Sequence, residues 1–72
     1  MKEQIIALIE EILKVEAGTI TEQTMIEQVE QWDSLAHVTI IGELEETLGI
    51  SIPLEEAIEI TGMPDLLEKA GC

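Results

Sequence analysis

Trp32-Asp33-Ser34-Leu35-Ala36-His37-Val38-Thr39-Ile40-Ile41-Gly42-Glu43-Leu44-Glu45-Glu46-Thr47-Leu48-Gly49 is the stretch that decides the fold. Asp33 is a strong N-cap residue, because a carboxylate there accepts a bond from an N–H group that the first helical turn leaves without a partner. Leu35, Val38, Ile41, Leu44 and Leu48 follow at three- and four-residue spacing, and Ile40 widens the apolar stripe. Glu43, Glu45 and Glu46 form an acidic outer side. Gly49 supplies the residue that most easily turns left-handed after a last helical turn. The spacing therefore predicts a helix over 34–48. Gly42 in its middle lowers helix propensity by about 1 kcal/mol relative to Ala, unless something packs closely against it.

Upstream of this stretch, Ile5, Leu8, Ile9, Ile12 and Val15 mark one face of an amphipathic first helix over 2–15. Glu3, Glu10, Glu11 and Lys14 look outward, and Gly18 ends the segment. Residues 16–33 show no period and form a long connection, of a length that usually carries function or local structure. Within it, Thr24-Met25-Ile26-Glu27 fits a capping box, so one helical turn is expected at 25–29, with Met25, Ile26 and Val29 tucked under the bundle. Ile50-Ser51-Ile52 is an extended linker. Pro53 then opens a short third helix over 53–60, with Glu55 and Glu56 in its first turn. Thr61 is expected to cap a fourth helix over 62–70, closed by Gly71. The fold class is all-α: a small four-helix bundle with a long loop between the first two helices and a short third helix. Residues 1–72 read as one domain.

Composition narrows the function. Seventy-two residues bury only about 60–65% of their unfolded surface, which leaves no room for separate cofactor and substrate domains. Sixteen acids against three lysines give a net charge of −13, and from Val15 to Glu68 no basic residue interrupts thirteen acids. Such a field repels nucleic acid and anionic membrane surfaces and attracts proteins with basic patches. The longest apolar run, Ile5 to Ile9, is too short to span a bilayer, and its acidic flanks do not suit a signal peptide. A cytoplasmic location and a monomer are expected. Cys72 is the only cysteine, so no intramolecular disulfide forms. One His and one distant Cys do not make a zinc site, and no calcium-loop pattern is present.

Taken alone, Asp-Ser before an apolar helix is a helix cap. A serine hydrolase is excluded by the flanks, which lack Gly-x-Ser-x-Gly. The single His37, one turn from Ser34, is also too close to hold a third partner of its own. Two stretches together carry more. Asp33-Ser34-Leu35, and Leu48-Gly49-Ile50-Ser51-Ile52-Pro53-Leu54-Glu55-Glu56-Ala57 downstream of it, resemble the attachment site and third-helix opening of acyl carrier proteins. The likeness extends over nearly the whole acidic chain. It implies a non-catalytic protein whose Ser34 bears a 4'-phosphopantetheine arm derived from coenzyme A and holds acyl or aminoacyl groups as thioesters. A helix N-terminus suits the phosphodiester of such an arm.

The resemblance also implies partners. A phosphopantetheinyl transferase would read Asp33 and Leu35. A loading enzyme and synthases or transferases with basic patches would dock on Val38, Glu45 and Glu46. Trp32 is a candidate contact beside the arm, or else packs on His37 or Val38 in a staple-like way. An acyl chain would lie between the second and third helices against Ile41, Leu44 and Ile60.

The chain departs from fatty-acid-synthesis members in several places. Ala36 replaces an acid two residues after the serine, and Gln31-Trp32 replaces Gly-Ala before Asp33. Thr39 and Gly42 stand where acids or bulky apolar residues are common. Polyketide, nonribosomal peptide and other specialised pathways are equally good readings. The rival classes are an unmodified carrier-like module with a structural or regulatory role, and an acidic adaptor for a basic helix. Neither needs Ser34.

Overall fold

The computed structural model describes all residues, 1–72. Helix α1 is Lys2–Leu13, α2 Ser34–Leu48, α3 Leu54–Ala57 and α4 Met63–Lys69, with a 3₁₀ turn at Ile26–Gln28 inside the α1–α2 loop. The expected four-helix, strand-free architecture is present. None of the helices is long and apolar enough to cross a membrane.

Ile5 and Ile9 of α1, Ile40 and Leu44 of α2, and Met63 and Leu66 of α4 are fully buried and form the centre of the core. Leu13, Ile20, Val29, Trp32, Ile52, Ala57, Ile60 and Leu67 complete it. Apart from Trp32, its substance is aliphatic. Burial of each large side chain contributes about 1.5–3 kcal/mol.

Several boundaries differ from expectation, each for a local reason. Helix α1 stops at Leu13, before Val15. Lys14 turns left-handed at φ 60°, and the N–H groups of Lys14 and Val15 donate to the carbonyls of Glu11 and Glu10. That closes the helix at Leu13, five residues before Gly18. Its most buried row is Ile5, Ile9 and Leu13, with Leu8, Ile12 and Val15 packed at the side. Glu10, expected to face outward, is buried. One of its carboxylate oxygens, Oε2, accepts from the backbone N–H groups of Gly18 at 2.8 Å and Ile20 at 3.1 Å.

The turn in the long loop starts one residue later than the capping-box reading. The Met25 N–H donates to the Gln28 side chain at 2.9 Å. Thr24 faces the other way and accepts from the Thr21 N–H at 2.8 Å. The loop is stitched to the start of α4: Ile26 N–H donates to the Thr61 carbonyl at 3.0 Å, and Met63 N–H to the Thr24 carbonyl at 2.8 Å. Gly62 lies between these bonds. A Cβ there would fall 2.7 Å from Met25 Sδ and 2.9 Å from the Thr24 carbonyl oxygen.

Helix α3 is shorter than the expected 53–60. Pro53 stands before it, and the N–H groups of Glu59 and Ile60 turn to carbonyls three residues back, so the helix tightens and ends. Helix α4 opens from Gly62, whereas Thr61 was expected to cap it. The Thr61 N–H and hydroxyl both donate to Asp65, which reaches back over the first turn. Helix α2 has its expected limits, and Gly49 ends it at φ 69°. No atom packs against Gly42, so that glycine answers to no close approach.

Candidate functional site at the start of α2

Asp33 is extended, at φ −93° and ψ −177°, and its side chain accepts from the Ala36 N–H at 2.8 Å. Its carbonyl accepts from the His37 N–H at 2.9 Å. Asp33 thus caps the helix without help from its neighbour. Ser34, the first helical residue, is exposed and its hydroxyl takes no part in the cap. The N–H groups of Ser34 and Leu35 belong to the unpaired first turn and, with the helix dipole, favour an anion at this end.

The buried side of α2 is rotated from the one read by spacing. Ile40 and Leu44 are buried, and Ala36, His37, Ile41 and Leu48 are half-buried. Leu35 and Val38, expected on the apolar stripe, are 78% and 60% exposed. The cause is Trp32. Trp32 is only 3% exposed, and its indole N–H donates to Nδ1 of His37 at 3.0 Å. The other ring nitrogen of His37, Nε2, lies 2.8 Å from the Ala57 carbonyl oxygen at the end of α3. Trp32 and His37 therefore draw the Ala36–His37 side inward and push Leu35 and Val38 out. Trp32 packs on His37, and a surface contact with partners does not describe it.

A groove of about 320 Å³ runs beside the serine, lined by Ile26, Trp32, Asp33, Ser34, His37, Val38 and Ile58. Ile58 is 74% exposed and Leu54, one turn earlier, 71%. The groove beside Ser34 is thus lined mainly by apolar side chains, with Asp33 its one carboxylate. Glu45 and Glu46 are exposed but lie about 17 Å further along α2 at the usual helical rise. The chain-binding set expected at Ile41, Leu44 and Ile60 does not form a cavity. Leu44 and Ile60 are filled core positions, Ile41 packs against the core, and Ile60 edges a different groove with Met25, Ile26, Glu27 and Thr61. The largest groove, about 470 Å³, is polar and lies away from Ser34, between the end of α1 and the long loop. Ile26 and Ile58 are the groove residues that helical spacing alone did not reveal, since they come from a loop and from just past α3.

A family model described as the phosphopantetheine attachment site matches residues 3–68. The chain belongs to that family. This carrier protein also has the fold of a solved relative, the holo acyl carrier protein from Geobacter metallireducens determined by solution NMR. The two share 21% identity and a TM-score of 0.84, over 97% of this chain and 80% of the other. No curated protein matches the chain. The carrier is not an enzyme, and its cofactor is a covalently attached 4'-phosphopantetheine. The residues at the start of α2 fit that group: a free hydroxyl, two unpaired N–H groups for the phosphate, and an apolar groove beside them.

Proposed function

We propose that Ser34 is the attachment residue and that residues 1–72 act as one carrier domain. It would deliver acyl or aminoacyl groups to partner enzymes of fatty acid, polyketide or related specialised biosynthesis. The observation that carries this reading is the division of labour at the helix start. Asp33 satisfies the cap, so the Ser34 hydroxyl can be esterified with α2 intact. When bound, the arm supplies a thiol that holds cargo as a thioester.

The chain's own part is presentation. Asp33 fixes the direction of Ser34, and the positive end of α2 stabilises the phosphodiester. Leu35 and Val38 stand exposed for a transferase and for later partners. In the modification step the Ser34 oxygen bonds to the phosphorus of coenzyme A's phosphopantetheine, the pyrophosphate P–O bond breaks, and adenosine 3',5'-bisphosphate leaves. The hydroxyl proton passes to a base of the transferase. Glu45, Glu46, Glu55 and Glu56 meet the basic rim of partner surfaces, whose centre is apolar.

The experiment is intact-protein mass after co-expression with a broad-specificity phosphopantetheinyl transferase. One added phosphopantetheine, absent from Ser34→Ala, is expected. A folded wild-type protein that gains no mass would favour the unmodified interaction module.

A further inference from the structure

Between Ser34 and the core, one side chain ties α2 to α3. His37 is half-buried one turn beyond Ser34. Its Nδ1 accepts from Trp32, and its Nε2 meets the Ala57 carbonyl. An indole N–H only donates and a carbonyl only accepts, so the neutral ring with its proton on Nε2 satisfies both partners. Behind it Ile40, Leu44, Met63 and Leu66 are completely buried, with Ala57 and Ile60 at 1% and 5% exposure. The groove at Ser34 is lined by the buried Trp32, the half-buried His37 and the exposed Val38 and Ile58.

We propose that the Trp32–His37–Ala57 bridge closes the seam between α2 and α3 to the carrier's cargo. The branched, apolar first part of the arm rests in the groove against Val38 and Ile58, and the thioester with its acyl or aminoacyl group stays in solvent. This inference rests on Ser34 as the attachment residue. A chain entering the core would have to break both hydrogen bonds. The indole N–H and the Ala57 carbonyl would then be left without partners, and side chains that already fill the space would be displaced. A long alkyl chain kept outside would expose its apolar surface to water. The geometry therefore favours short acyl or aminoacyl cargo.

The test compares acetyl- and octanoyl-phosphopantetheine forms, made with a transferase and the matching acyl-coenzyme A, by methyl NMR and thermal melting. Shifts are expected at Ile26, Val38 and Ile58, alike for both cargoes, with a melting temperature independent of chain length. Octanoyl-specific shifts at Ile40, Leu44 or Met63, with a higher melting temperature for octanoyl than for acetyl, would overturn the proposal. Should the transferase add no mass, the reading of Ser34 fails. A Ser34→Cys, Cys72→Ser protein alkylated with maleimide derivatives of the two acyl-pantetheines then decides the seam question by itself. In His37→Ala the octanoyl chain is expected to reach the core and shift those methyls. A folded His37→Ala core that stays unaffected by octanoyl would overturn the role of the bridge. If that variant does not fold, Trp32→Phe removes the indole donor while keeping a ring, and is read in the same way.

Discussion

The indole N–H of Trp32 donates to Nδ1 of His37 at 3.0 Å, with the two rings 6.1 Å apart and tilted by 33°. Because Trp32 can only donate, the neutral imidazole must carry its proton on Nε2, where Ala57 accepts it. Nitrogen NMR of His37 at neutral pH should show the Nε2–H tautomer. A ring protonated at Nδ1 instead would contradict the bridge. Trp32→Ala should cost about 3–5 kcal/mol of stability in denaturant unfolding, as expected for removing a buried aromatic ring.

Glu10 anchors the loop after α1 through two backbone N–H groups. Glu10→Ala leaves both without their acceptor and should destabilise by about 2–3 kcal/mol. Glu11→Ala, on the exposed side, should change stability by less than about 0.5 kcal/mol. Equal effects in urea melts would show that Glu10 does not hold the loop.

Two glycines should respond oppositely to the same change. Gly62→Ala drives a methyl into Met25 and the Thr24 carbonyl, and should destabilise by about 1–3 kcal/mol. Gly42→Ala meets nothing and should stabilise α2 by about 1 kcal/mol. Thermal melts of the two variants provide the comparison.

Asp33→Ala removes the acceptor for the Ala36 N–H and should lower stability by about 1 kcal/mol, whereas Asp33→Asn should retain most of it. On the proposed attachment at Ser34, modification by a transferase should slow in the alanine variant, because the first turn frays. An Asp33→Ala protein with unchanged melting and modification would show that the cap does not position the serine.

The net charge of −13 is balanced by few ion pairs, chiefly Lys2–Glu22 at 3.2 Å and Lys69–Glu59 at 3.8 Å. Screening the repulsion should raise the melting temperature between low and moderate ionic strength, with divalent cations more effective than sodium. A flat salt profile would mean that the acids are spaced widely enough to ignore one another.

Features that depend on local chemistry are legible before the chain is folded. Asp33 and Gly49 bound α2 correctly because a cap and a left-handed turn are properties of single residues and their immediate backbone. The paired stretches at Asp33-Ser34-Leu35 and Ile52-Pro53-Leu54-Glu55-Glu56-Ala57 pointed to the carrier family. The all-α class followed from helical spacing, on Ile5, Leu8, Ile9, Ile12 and Val15 in α1 and on Leu35, Val38, Ile41, Leu44 and Leu48 in α2. Which way those helices face depends on packing between distant segments. At the start of α2, Leu35, Ala36, Val38, Ile40 and Ile41 are apolar almost all round the axis, so periodicity alone does not select a buried side. Trp32 and the Ala57 carbonyl select it through His37. Glu10 looks like any solvated acid until the loop folds back and brings the Gly18 and Ile20 N–H groups to it. The groove at Ser34 likewise joins residues from the long loop, α2 and the segment after α3. Contacts between residues distant in sequence exist only once the chain has packed, and it is these contacts that leave an expected chain-binding cavity filled and place a shallow groove beside Ser34.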